Sequence, residues 1–290
     1  MLSSKAGDSL SASMAAKVLS FPPFPDSERV VYRRNPLIEV ICQLRFPPIL
    51  RIAAEAPVAF QEKIRNEYPL FSERFPEVNV EMPLGVPPAF AELVKGNLSK
   101  RKLVGYDFTS ADENWKVSLT RDFLSLSTSQ YTRWEHFRQH LEAPLQTLIG
   151  VYAPTFFTRV GLRYQDLIQR SRLGLPPATR WSELIKPHIA GVHAVPELEG
   201  AVEESLGQLL MSLPQFKAKV RINHGIVETT EANEKCFLID ADYYTEERTK
   251  TDAVDGILAY FNKQSGRLFR WCIEDRLQKA MEPQPVEATA

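Results

Sequence analysis

The stretch 114-NWKVSLTRDFLSLSTS-129 reads as two strands, 114–120 and 123–129, joined across the Arg121-Asp122 pair by a tight turn. The turn lacks the glycine that usually secures a two-residue hairpin. Strands joined this closely must run antiparallel, because a parallel pair needs a long crossover. This hairpin therefore sets the expectation for the whole chain, and the flanking segments extend it.

Upstream, a strand is expected at 103–109, and the stretch 76–100 is proline-rich and irregular. Residues 57–71 open with Pro57, a residue suited to a first helical position, and Val58, Phe60, Ile64 and Tyr68 follow at helical spacing. Pro69 should end or kink that helix. Further back, Ile38, Val40, Cys42, Leu44 and Phe46 share one side of a strand, with Glu39, Gln43 and Arg45 on the other. The prolines at 47 and 48 stop it.

Downstream, 132–150 carries an apolar stripe of Trp134, Phe137, Leu141, Leu145 and Leu148. Thr132 and Glu135 stand at capping-box spacing, and Gly150 suits the helix end. A strand at 156–168 follows, then the break GLPP at 174–177. Two amphipathic helices are expected near 181–189 and 199–212, then a hairpin of strands 216–228 and 235–244. Helices at 251–262 and 266–281, divided at Gly266, close the order. Helices inserted between hairpins predict an α+β fold, a mostly antiparallel sheet with helices packed on one face. The order also allows two ferredoxin-like halves, although no internal repeat argues for duplication. The expected organisation is a disordered tail over 1–29, an N-terminal α+β half over 30–173, a C-terminal half over 174–282 packed on the first, and a tail over 283–290.

Several segments together resemble a family of uncharacterised bacterial proteins that are sporadically distributed among genomes. They are YRRNPLIEVICQLRFPP (32–48), FFTRVGLRYQDLI (156–168), CFLIDADYY (236–244) and LFRWCIEDRLQKAM (268–281). The resemblance spans nearly all of residues 30–282. It implies a bacterial, cytoplasmic protein and brings no reaction, ligand or catalytic residue.

The 290 residues suffice to bury a core without disulfides. Lys and Arg total 35 against 36 Asp and Glu, a formal charge of −1, so the basic excess typical of nucleic-acid binders is missing. Cys42, Cys236 and Cys272 are odd in number, far apart and set in apolar runs, which suits buried thiols in a reducing, cytoplasmic compartment. The first twenty residues lack the apolar core of a secretory signal, and no run is long enough to span a membrane.

The sequence contains no GxGxxG, GxxxxGK[ST], HExxH or GxSxG motif. His136 and His140 share a helical face, but no third metal ligand accompanies them. Strand alternation yields a more specific set. Opposite the apolar sides lie Glu39, Gln43 and Arg45; Arg159, Arg163 and Gln165; Lys219, Arg221 and Asn223; and Asp240 and Asp242. In one sheet these would form a charged groove able to grip an anionic ligand, with Arg159 and Arg163 as fork donors and Glu39, Arg45 and Arg221 completing the binding set. Asp240 and Asp242 could there hold a divalent cation. The simpler reading is a solvated face whose charges pair across strands. Two functions follow: a non-enzymatic binding or interaction protein without cofactor, or a metal-dependent enzyme acting on a phosphorylated or other anionic substrate. A protein partner or small anionic ligand is expected; a homodimer is admissible, and nucleic acid and membrane are not expected partners.

Overall fold

The computed structural model describes residues 24–74, 104–198, 201–229 and 234–285. Its strands are β1 (Val30–Tyr32), β2 (Leu37–Arg45), β3 (Leu70–Arg74), β4 (Gly105–Thr109), β5 (Trp115–Thr120), β6 (Phe123–Thr128), β7 (Arg159–Ile168), β8 (Ser205–Ser212), β9 (Lys219–Thr229), β10 (Glu234–Thr245) and β11 (Pro283–Pro285). Its helices are α1 (Leu50–Ala54), α2 (Val58–Ile64), α3 (Trp134–Tyr152), α4 (Pro187–Ala190), α5 (Val254–Cys272) and α6 (Asp275–Ala280).

Nine strands make one sheet in the order β3-β4-β5-β6-β2-β7-β10-β9-β8, every pair antiparallel. The fold is α+β with a mostly antiparallel sheet. The expected hairpin at Arg121-Asp122 is present; neither turn residue has the positive φ that calls for glycine, and the Thr120 hydroxyl fastens the turn by donating to the Asp122 carboxylate at 2.8 Å and accepting the Phe123 N–H at 3.1 Å. Strands β5-β6-β2-β7, with α2 and α3, follow the ferredoxin-like order. The meander β8-β9-β10 then extends the same sheet beyond β7.

Period-two alternation puts Val40, Cys42 and Leu44, Val160 and Leu162, and Ile239, Ala241 and Tyr243 on one side of the sheet, all buried. There they pack with Phe137, Leu141 and Leu148 of α3 and Val254, Leu258, Phe261 and Leu268 of α5 in one apolar cluster. All three cysteines are buried and free, and burial pushes the Cys42 thiol up to about 12. None of the described helices is long and apolar enough to cross a membrane.

Several expectations need correction. The helix expected over 57–71 ends at Ile64, and Leu70–Arg74 instead pairs with β4. The expected helices near 181–189 and 199–212 are replaced by a 3-10 turn at Trp181–Glu183, the single turn α4, and strand β8. Leu206, Leu209, Leu210 and Leu213 imitate helical spacing, but β8 is an edge strand and its apolar residues are not sorted to one face. Gly266 does not divide two helices: α5 runs through it, and the break falls at Ile273, which bridges to Ile185. Thr132 does not cap α3, whose preceding residue Arg133 makes no side-chain cap, and the helix passes Gly150 to stop at Ala153 in the left-handed region (φ 47°).

The 76–100 stretch, residues 1–23 of the N-terminal tail and 286–290 of the C-terminal tail lie outside the described residues. Of the remaining tail positions, Phe24 is buried against Trp271, and Pro283–Pro285 pairs with Val30–Tyr32 as a separate two-stranded ribbon.

Candidate functional site

The sequence-derived site residues all lie on one face of four adjacent strands, β2, β7, β10 and β9, the face opposite α3 and α5 and free of helices among the described residues. Cross-strand register sets them in rows. Ile41, Arg163, Asp242 and Arg221 are successive partners across the sheet, as are Glu39, Gln165, Asp240 and Asn223. Arg45 stands opposite Arg159 at one end.

The carboxylates and arginines pair diagonally between β7 and β10. Arg163 grips Asp240 with two N–H donors at 2.6 and 2.8 Å, and Arg159 donates to both oxygens of Asp242 at 2.8 Å. Asp240 is the more deeply set: its side chain is only 5% exposed, and it also accepts an N–H from Asn223 at 3.1 Å. The hydrogen bond to Asp240 raises the Arg163 pKa above its ordinary value. Asn223 in turn accepts from Gln208 on β8, and Gln165 bridges the other way when its amide oxygen accepts from Arg163 and its nitrogen donates to Glu39.

Arg159 reaches Asp242 by folding across Gly161. A Cβ at that position would fall 2.1 Å from the guanidinium, so only glycine leaves the path clear. The Arg159 guanidinium also sits 5.0 Å from the Tyr244 ring centre, which Arg221 approaches at 5.9 Å from β9. The result is a flat lattice of half-buried, mutually satisfied charges. Among the described residues Arg45 donates only to the neutral Gln43 amide. Lys219 and Arg221 stand outside the pairs with it, so this part of the face carries a cationic surplus although the chain is close to neutral.

Asp240 and Asp242 are thus already engaged through both oxygens, and a metal ion there would have to unseat two arginines. Among the described residues no group of three or more His, Cys, Asp or Glu side chains is placed to hold a metal. His136 and His140 do meet, Nε2 to Nε2 at 3.2 Å, with the His140 ring stacked on Trp115 at 3.9 Å. Burial, then His136, lowers the His140 pKa, so the ring is held neutral against Trp115.

One polar group on the opposite side escaped the sequence reading. Asp166 continues the inward series Val160, Leu162, Tyr164 of β7, and is 7% exposed among apolar neighbours. Among the described residues its carboxyl makes no hydrogen bond or ion pair, and burial, then the charge of Asp240 across the sheet, raises its pKa to about 8. A carboxylate on the apolar side of a strand was the signal that could have revealed it.

No protein-family model matches this chain, and no curated protein matches it.

Proposed function

We propose that the chain is a non-catalytic binding protein that docks an acidic protein partner on the open face of its sheet. The supporting observation is the charge lattice itself. Two Arg–Asp pairs fix the centre of the face, and among the described residues Arg45, Lys219 and Arg221 are left outside them as a cationic rim. Charges held in advance by their own pairs lose little freedom on binding, and a net positive rim steers an acidic surface toward them. Exposed Leu206 and Leu210 on the edge strand β8 continue this face and would add apolar contact at its margin. The metal-dependent enzyme acting on an anionic substrate is the less favoured reading, since Asp240 and Asp242 are tied to arginines. The buried free thiols support a reducing, cytoplasmic setting, and the resemblance described above supports a bacterial one.

The test is a triple reversal, Arg45→Glu, Lys219→Glu and Arg221→Glu, which leaves the Arg–Asp pairs in place. Tagged wild-type and variant proteins are used to capture partners from a bacterial lysate, with cross-links mapped by mass spectrometry. Cross-links should fall on β7, β9 and β10, and the captured protein should be lost from the reversed variant but kept by a control reversed at Arg138 on α3. Capture that survives the triple reversal would overturn the reading, as would cross-links confined to the helix side.

A further inference from the structure

On the helix side, a cavity of about 610 Å³ opens between residues 26–37, the start of α3, β7 and α5. This is within the size range of small-molecule sites. Asp166 lines it, the unpartnered side chain described above. Tyr243, fully buried on the neighbouring strand β10, also has a hydroxyl without a partner among the described residues. Two aromatic pairs line the walls, Tyr32 with Phe269 at 5.8 Å and Tyr131 with Tyr164 at 5.7 Å. Both hydroxyls of the second pair donate to the Asn262 oxygen, at 3.4 and 3.1 Å, which leaves the Asn262 amide N–H groups for an occupant. At the mouth, Arg133 and Lys263 are exposed and, among the described residues, unpaired. Arg29, Arg267 and Arg270 also line the cavity but are bound to Glu135, Asp26 and Asp275.

We infer that this cavity binds a nucleotide-like ligand, a planar heterocycle carrying an anionic group, with Asp166 pairing the edge of the ring and Arg133 and Lys263 meeting the anion. A protonated carboxyl offers an O–H donor beside a C=O acceptor, which matches the adjacent donor and acceptor on a nucleobase edge. Rings stack on tyrosine and phenylalanine walls without demanding one base. The obvious competitor is an organic cation, drawn by the same aromatic rings and by an ionised Asp166. The mouth disfavours it, because among the described residues its charges outside ion pairs are Arg133 and Lys263 against the single carboxylate of Glu28, a net positive entrance.

Isothermal titration calorimetry with AMP, CMP, GMP and UMP tests the inference, with ribose 5-phosphate, adenosine and spermidine as comparison probes. At least one nucleotide should bind, and at least tenfold more tightly than ribose 5-phosphate or adenosine. Asp166→Leu should weaken it tenfold or more, whereas Asp166→Asn, which keeps a donor beside an acceptor, should stay within about threefold. Arg133→Glu with Lys263→Glu, both at exposed positions, should weaken the nucleotide but not adenosine. The inference falls if none of the four nucleotides binds, if Asp166→Leu binds undiminished, or if spermidine binds more tightly than every nucleotide.

Discussion

Gly161 and Asp166 lie on the same strand, β7, but on opposite faces, and each shows how one residue can set the character of its surroundings. Asp166 is a carboxyl that folding moves from water into an apolar cleft, so its proton is held to about pH 8 against an ordinary value of 3.8. Between those pH values the folded chain binds a proton that the unfolded chain has released. Stability from this group is therefore fully present below about pH 4 and is lost as the pH rises toward 8. Denaturant unfolding from pH 4 to pH 8 should show this loss, on the order of a few kcal/mol, and Asp166→Asn should flatten that part of the curve. Tyr243 and Cys272 titrate well above this window, and a slope unchanged by the substitution would show that Asp166 does not carry it. Gly161 is constrained by its neighbour instead of its backbone. Gly161→Ala should cost about 1 kcal/mol, because the new methyl displaces the Arg159 guanidinium from Asp242. In an Arg159→Ala background the same change should be neutral or mildly stabilising, since alanine outranks glycine in a strand. A double-mutant cycle by chemical denaturation measures the difference.

At the level of elements, α5 shows how a weak helix residue is overridden by packing. Gly266 sits mid-helix with nothing within 4 Å of where a Cβ would stand, while Phe261 and Leu268 on either side are buried in the core. Gly266→Ala should therefore stabilise the protein by roughly 1 kcal/mol, visible as a higher melting temperature in calorimetry. Strands such as β2, with one wet face and one dry, were legible in the sequence because their side chains are sorted residue by residue. The face-sharing of Glu39, Arg163, Asp240 and their neighbours followed from the same sorting. Strand β8 was not legible, because an edge with both faces partly in water has no such sorting. Strand β3 was hidden for a related reason: Leu70 and Phe71 are both exposed, so no alternation marks them. The pairing of the charges was beyond the sequence too, since it depends on which strands become neighbours. Backbone close to β8 shows what its position demands: Gly225 (φ 150°) accepts a conformation and an approach to the Ser205 carbonyl that a side chain would forbid.

Over the whole molecule, the ladder between β7 and β10 runs without interruption from Val160 paired with Thr245 to Ile168 paired with Phe237. It joins the segments before and after residue 174 through the middle of one sheet. Thermal unfolding should accordingly be a single calorimetric transition with equal calorimetric and van't Hoff enthalpies, and two resolved peaks would show the segments unfolding separately. The small ribbon of β1 and β11 ties together residues some 250 positions apart, reinforced by the salt bridge of Arg33 to Glu282 at 3.1 Å, 249 residues distant in sequence. The segment it anchors is the one that walls the cavity. During synthesis the ribosome makes Val30–Tyr32 long before Pro283–Pro285, so the ribbon cannot form until nearly all of the described chain has emerged. Until then the wall has only earlier ties such as Arg29 to Glu135 and Arg34 to the Leu173 carbonyl. All nine strands of the large sheet precede β11 in the chain, so that sheet can assemble before the ribbon fastens the cavity wall.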